Sequence, residues 1–202
     1  IVLPDSPTRR VGGEPLAKFV EHTHINRLYS LDKAQTFGEL GDWVTKVKRL
    51  YPDAEFTVEL KYDGLTVVVT YDKGEFIGAS TRGNGVTGED ITEQVKTIKN
   101  VPLTINYNGL IELGGEGIMK LSALKEYNER YPNDTLKSAR NAAAGALRNL
   151  DSKVTASRKL GVVFYSNGYC ENEFSSQTDL VEFLKINKFK TNDVFIKVKT
   201  FE

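Results

Sequence analysis

Three short apolar runs, Phe56 to Leu60, Leu65 to Tyr71 and Phe76 to Ser80, follow one another within 25 residues. Asp72-Lys73-Gly74 separates the second from the third and has the chemistry of a tight turn, so these two form an antiparallel hairpin. Strand character returns at Leu110 to Met119 and Leu160 to Tyr165. Helical spacing of apolar residues marks Phe37 to Leu50, where Phe37, Leu40, Trp43, Val44, Val47 and Leu50 share a face. Further helices are expected from about Glu89 to Ile98, over Ser122 to Tyr131, over the alanine-rich Ser138 to Leu150, and over Leu180 to Ile186. Strands that arrive as hairpins between helices predict an α+β fold with antiparallel sheets flanked by helices, not a doubly wound parallel sheet.

A chain of 202 residues is long enough to bury a proper core as one sizeable domain. Its 27 basic and 27 acidic residues cancel, so a globally basic footprint for nucleic acid is missing and any such contact must come from a local patch. The single cysteine, Cys170, excludes an internal disulfide framework and a Cys-based zinc cluster, and fits a reducing cytoplasmic setting. No run is apolar and long enough for a membrane span, and no secretory leader is visible. The chain opens on Ile1, which suggests a piece of something longer. Residues 1–25, with Pro4, Pro7, Pro15 and Gly12-Gly13, read as a connector or N-terminal arm, and residues 26–202 as the domain proper.

Several stretches could carry chemistry. In Glu59-Leu60-Lys61-Tyr62-Asp63-Gly64 an extended strand would put Glu59, Lys61 and Asp63 on one face and Val58, Leu60 and Tyr62 on the other. A solvated charged face is the plain reading; a nucleophilic lysine, with a pocket that helps it lose its proton, is the functional one. Arg82-Gly83-Asn84-Gly85-Val86-Thr87-Gly88 is either a tight turn or a ligand loop feeding a helix N-terminus that favours anions. Glu116, ringed by glycines, could accept a ribose hydroxyl or mark a bulge. Arg140 and Arg148, eight residues apart, point the same way on a helix and could meet a phosphate backbone or simply keep the surface soluble. His22 and His24 flank Thr23 with no cysteine or third histidine nearby, so no metal site is expected there.

Taken in order, Lys-Tyr-Asp-Gly, Thr-Arg-Gly-Asn-Gly-Val-Thr-Gly-Glu-Asp-Ile-Thr, Gly-Gly-Glu and Ala-Arg-Asn-Ala-Ala-Ala-Gly-Ala-Leu-Arg closely resemble the adenylation (nucleotidyltransferase) domain of bacterial NAD-dependent DNA ligases. Asp5-Ser6-Pro7-Thr8, Val11-Gly12-Gly13 and Tyr29-Ser30-Leu31-Asp32 extend the resemblance, which runs from about residue 5 to 165. It implies the nucleotidyltransferase fold shared by DNA ligases and mRNA capping enzymes. It also implies that Lys61 attacks the α-phosphorus of NAD to form lysyl-AMP, that AMP passes to the 5′-phosphate of a nick in double-stranded DNA, and that the 3′-hydroxyl then seals the strand.

Residue by residue, the resemblance puts Glu59 at the adenine, with Ser30 and Leu31 lining the nucleotide pocket. Arg82 and Glu116 match the ribose-binding pair, Asp63 orients Lys61 or a divalent ion (Mg2+ or Mn2+), and Arg140 and Arg148 contact DNA phosphates. Zinc belongs to a later part of such ligases, outside this sequence. The setting implied is a cytoplasmic monomer in DNA replication and repair, without membrane contact. Four positions depart from the family pattern: Asn84 stands for an aspartate, Gly114 for an arginine, Ala139 for a proline and Gly117 for a small hydrophobic residue. They motivate a second reading, a catalytically weak or inactive paralogue that binds nucleotide or DNA as a module. An ATP- or GTP-dependent nucleotidyltransferase is a third, and the glycine loop argues against it.

Overall fold

The computed structural model describes residues 3–10 and 16–200. Val11-Gly12-Gly13 and Pro15, part of the expected arm, lie outside the described residues. The elements in chain order are a 3-10 turn (Pro7–Arg10), β1 (Glu21–Thr23), α1 (Phe37–Leu50), β2 (Phe56–Glu59), β3 (Leu65–Asp72), β4 (Glu75–Thr81) and β5 (Thr87–Glu89). They continue with α2 (Thr92–Lys96), β6 (Leu110–Ile118), α3 (Leu121–Arg130), α4 (Ala139–Leu147), α5 (Ser152–Ser157), β7 (Gly161–Cys170), α6 (Gln177–Ile186) and β8 (Phe195–Val198). The chain divides into two units, Ile1–Leu28 with Tyr62–Thr191, and Tyr29–Lys61 with Asn192–Glu202.

The larger unit is built on a four-stranded antiparallel sheet in the order β4-β3-β6-β7. Its core strands are rich in β-branched and other large apolar residues: Val67, Val69, Ile111, Leu113 and Phe164 are fully buried, and with Tyr71 they join one apolar cluster. The hairpin expected at Asp72-Lys73-Gly74 is present, with Lys73 and Gly74 both at positive φ. Helix α4 buries Ala142, Ala143, Ala146 and Leu147. Small alanines let it lie close to β6, where a Cβ on Gly117 would run into the Leu147 side chain. Ser138 caps α4 by accepting the Asn141 amide. Arg10 ties the N-terminal residues down: its guanidinium donates to the carbonyls of Ile98 at 3.0 Å and Val101 at 2.8 Å.

A second, two-stranded sheet joins β1 to β5. Here the structure corrects the sequence reading. The glycine-rich loop does not open a helix at Glu89; Thr87–Glu89 is a strand paired with Glu21–Thr23, and the helix that follows is only Thr92–Lys96. The pairing runs on through His24 N–H to the Val86 carbonyl at 3.0 Å and Leu28 N–H to the Gly85 carbonyl at 2.8 Å. Backbone pairing to a distant strand outweighs the acidic residues that looked like a helix start.

The smaller unit pairs β2 with β8, antiparallel, Glu59 opposite Phe195. Helix α1 is capped by Thr36, whose hydroxyl accepts the Glu39 amide, and Trp43 packs on Phe56 with ring centroids 5.5 Å apart. Asn192 donates to the Leu60 carbonyl at 2.7 Å, closing the ladder just past β2. Strand β2 ends at Glu59, so the alternation expected to carry Glu59, Lys61 and Asp63 on one face does not extend to Lys61 and Asp63, which lie in irregular chain.

Candidate functional site

In the larger unit the sheet register assembles a polar group from three strands. Thr66 on β3 stands opposite Glu116 on β6, and Val67 stands opposite Thr81 at the end of β4. Arg82 follows Thr81 directly, just past the end of β4, where the register leads toward the Thr66–Glu116 row. Cross-strand neighbours on one row have side chains within contact reach.

The Glu116 carboxylate is held at both oxygens. Gly64 N–H donates to Oε1 at 3.1 Å and the Thr66 hydroxyl to Oε2 at 3.4 Å. The glycine of Lys-Tyr-Asp-Gly has a physical reason to be glycine, since a Cβ there would collide with the Gly117 carbonyl. The motif backbone thus comes close enough to β6 to grip Glu116.

Tyr165 completes the group, and sequence reasoning missed it. A β-bulge in the β6–β7 pairing falls between Gly114 and Gly115, and Tyr165 is the extra residue on β7. Its phenol is pushed above the ordinary tyrosine range, first by burial and then by the nearby Glu116 charge; a hydrogen bond with Thr66 and the Arg82 charge work the other way. These couplings place Arg82, Glu116, Thr66 and Tyr165 in one electrostatic neighbourhood. Only a bulge, which single-strand periodicity does not reveal, would have pointed to Tyr165.

Asp63 and Arg140 form an ion pair with Nη1–Oδ1 at 3.0 Å, and Arg148 Nε sits 3.0 Å from Glu89 Oε2. Arg140 lies in the first turn of α4, whereas Arg148 is its C-cap residue at φ −97°, ψ 19°, already off helical geometry. Arg148 and Glu89 line a shallow cleft of about 280 Å3 with Phe19, Val20, Gly83 and Gly88. In the smaller unit Glu59 is half-buried at the end of β2 and Lys61 is exposed, while Ser30 and Leu31 lie in exposed irregular chain.

The glycine loop serves the fold before any ligand. Gly83 and Gly85 sit at φ +55° and +90°, which only glycine takes readily, and a Cβ on Gly85 would strike the Leu28 carbonyl. Asn84 Oδ1 accepts from the amides of Val86 and Thr87, each at 2.8 Å. An aspartate oxygen would accept the same two bonds, so this departure leaves the turn intact. Gly114 likewise has a local reason: a Cβ there would collide with the Ser166 hydroxyl.

The antiparallel α+β architecture, with Gly64 of the Lys-Tyr-Asp-Gly motif donating to Glu116, is given a family by comparison with known proteins. The family model for the NAD-dependent DNA ligase adenylation domain matches residues 16–202. The chain is 52% identical over 196 residues to a DNA ligase of Alkaliphilus metalliredigens, covering 95% of this chain and 30% of the relative. It is 51% identical over 203 residues to a DNA ligase of Finegoldia magna, covering 94% and 30%. It is 43% identical over 215 residues to DNA ligase 2 of Clostridium acetobutylicum, covering 100% and 32%. The chain belongs to the NAD-dependent DNA ligase adenylation domain family, and it spans about a third of the length of the curated relatives it matches.

Proposed function

We propose that this chain carries the self-adenylation step of an NAD-dependent DNA ligase. The Lys61 Nζ, once deprotonated, attacks the α-phosphorus of NAD; a P–N bond forms, the P–O bond to nicotinamide mononucleotide breaks, and the proton leaves the amine. Glu59 accepts from the adenine, Ser30 and Leu31 bound the nucleotide, and Arg82 with Glu116 holds the ribose. AMP then moves to the 5′-phosphate of nicked double-stranded DNA, where Arg140 and Arg148 contact the backbone. A fixed array of charges stabilises a phosphoryl transition state without reorganising at the moment of reaction. Mg2+ or Mn2+ is the divalent ion this reading expects; Asp63, an exposed carboxylate already facing a cation in Arg140, offers the hard oxygen such an ion takes, and a bound ion would offset phosphate charge. The setting is a cytoplasmic monomer without membrane contact; no helix among the described residues is long and apolar enough to cross a membrane.

The observation that carries the reading is Glu116, fixed at both oxygens by Gly64 and Thr66 so that it can meet a diol without first being ordered. The test grafts this chain in place of the matching segment of the A. metalliredigens ligase and supplies adenine-labelled NAD. Label that survives denaturation, disappears in Lys61→Ala and is diluted by unlabelled NAD but not ATP is the expected result. Binding of nucleotide or DNA without covalent label would establish the alternative, a catalytically inactive paralogue acting as a binding module. On its own, the 202-residue chain is expected to react with NAD poorly or not at all.

A further inference from the structure

The two histidines that the sequence left without a partner acquire one in the fold. β1 brings His22 opposite Gly88 and leads His24 along Val86, while β6 delivers Glu112 from 88 positions further on. One donor atom from each of His22, His24 and Glu112 lies within 4.8 Å of the others. Glu112 is fully buried and His24 is 6% exposed, while the Nε2 edge of the half-buried His22 is itself shielded from solvent.

The hydrogen bonds decide which atoms are available. His24 Nε2 stands 3.1 Å from the Arg82 carbonyl. A carbonyl oxygen only accepts, so Nε2 carries the proton, and the neutral ring places its lone pair on Nδ1. Nδ1 is buried without a hydrogen-bond partner, as are both oxygens of Glu112 and Nε2 of His22. His22 Nε2 approaches Glu112 Oε1 to 3.5 Å, close but without hydrogen-bond geometry. A carboxylate taken out of water with neither oxygen hydrogen-bonded is costly unless a cation stands beside it or it takes up a proton. Gly168 keeps room at that spot, because a Cβ there would stand 3.3 Å from Glu112 Oε2.

We propose that His22, His24 and Glu112 bind one divalent transition-metal ion of the zinc class. Two imidazole nitrogens and a carboxylate are a known zinc donor set with a fourth position left open, and nitrogen donors favour such ions over magnesium or calcium. The bond from His24 Nε2–H to a backbone carbonyl is the outer contact that fixes the tautomer of a metal-bound histidine. Zinc bonds of about 2.1 Å set donors about 3.4 Å apart, so closure from the present separations is a side-chain adjustment. The ion would pin residues 22–24 to the central sheet and, through His24, to Arg82. None of these three residues enters the adenylation chemistry above, so this site stands or falls separately.

The test uses the full 202-residue chain, stripped of metal and titrated with Co2+. One equivalent with visible d–d absorption, displaced by Zn2+, is expected, together with a higher melting temperature in zinc. Glu112→Gln and His22→Ala should each weaken binding about 100-fold or more and abolish the zinc-dependent shift in melting temperature, with Cys170→Ser unchanged. Nitrogen-15 NMR of the histidines in the unmutated chain gives a reading that no folding defect can blur: zinc should move His24 Nδ1 while Nε2 keeps its proton. Absence of stoichiometric binding, unchanged affinity in the variants, or a His22 imidazolium paired with Glu112 and indifferent to zinc would each overturn the proposal.

Discussion

Arg140 Nη1 and Asp63 Oδ1 stand 3.0 Å apart, joining the first turn of α4 to the residue two places after Lys61. Both side chains are mostly exposed, 61% and 72%, so the pair is screened by water and contributes little to stability. Arg140→Ala should therefore change the free energy of unfolding in urea by less than about 1 kcal/mol. On the proposed function, its effect is expected in binding. Affinity for a labelled nicked duplex, measured by anisotropy across a salt series, should fall with the salt slope reduced by about one. A variant with full affinity and an unchanged slope would remove Arg140 from the DNA surface.

Gly64 and Glu116 make a second test, because one is a packing constraint and the other a binding group. Gly64→Ala forces a Cβ onto the Gly117 backbone, which cannot yield as a side-chain end would, and should cost about 2 kcal/mol or more in chemical unfolding. Glu116→Gln keeps the shape and loses the charge. In the grafted ligase it should raise the KM for NAD about tenfold or more, with a smaller change in the melting temperature. Equal damage to KM and kcat with a collapse in stability would make Glu116 a structural acid.

At Asn84 the sequence has an amide where the resemblance leads one to expect an aspartate, and the turn geometry predicts that the difference is harmless. Asn84→Asp should leave stability within about 0.5 kcal/mol. Asn84→Ala removes the acceptor of two amide bonds and should cost about 1 kcal/mol. Differential scanning calorimetry on the two variants separates them; equal losses would contradict the turn geometry.

Tyr71 sets the alkaline limit of the fold. It is fully buried, its hydroxyl donates to the Pro102 carbonyl at 2.6 Å, and burial pushes it far above the ordinary tyrosine range, with the Arg10 charge opposing. Above pH about 10 the unfolded chain releases a proton that the native chain retains, so native stability falls as pH rises. Its contribution is complete below pH 10 and is lost progressively above it. Tyr71→Phe should be less stable at pH 7 by about 1–2 kcal/mol, yet its urea midpoint should decline less steeply between pH 10 and 11. A parallel decline in both proteins would refute this.

Local pattern carried the hairpin of β3 and β4, helix α1 and the alanine face of α4, because each is decided by residues within a turn or two of one another. It failed where partners come from afar. Thr87–Glu89 is a strand only because Glu21–Thr23 lies beside it, and Phe56–Glu59 pairs with Phe195–Val198 and not with the neighbouring β3. The motif residues Glu116 and Gly64 were legible one by one. Their hydrogen bond, the bulge that presents Tyr165, and the meeting of His22 and His24 with Glu112 are products of sheet register, which no window of sequence contains.

Strand β2 leads directly to Lys61, and its ladder partner is the last strand of the chain; Asn192 reaches the Leu60 carbonyl across 132 positions. Closing so wide a loop is slow compared with forming the hairpins of the larger unit. During synthesis Lys61 therefore emerges from the ribosome long before the strand that pairs with β2. The ladder that flanks Lys61 forms only after residue 198 has been made.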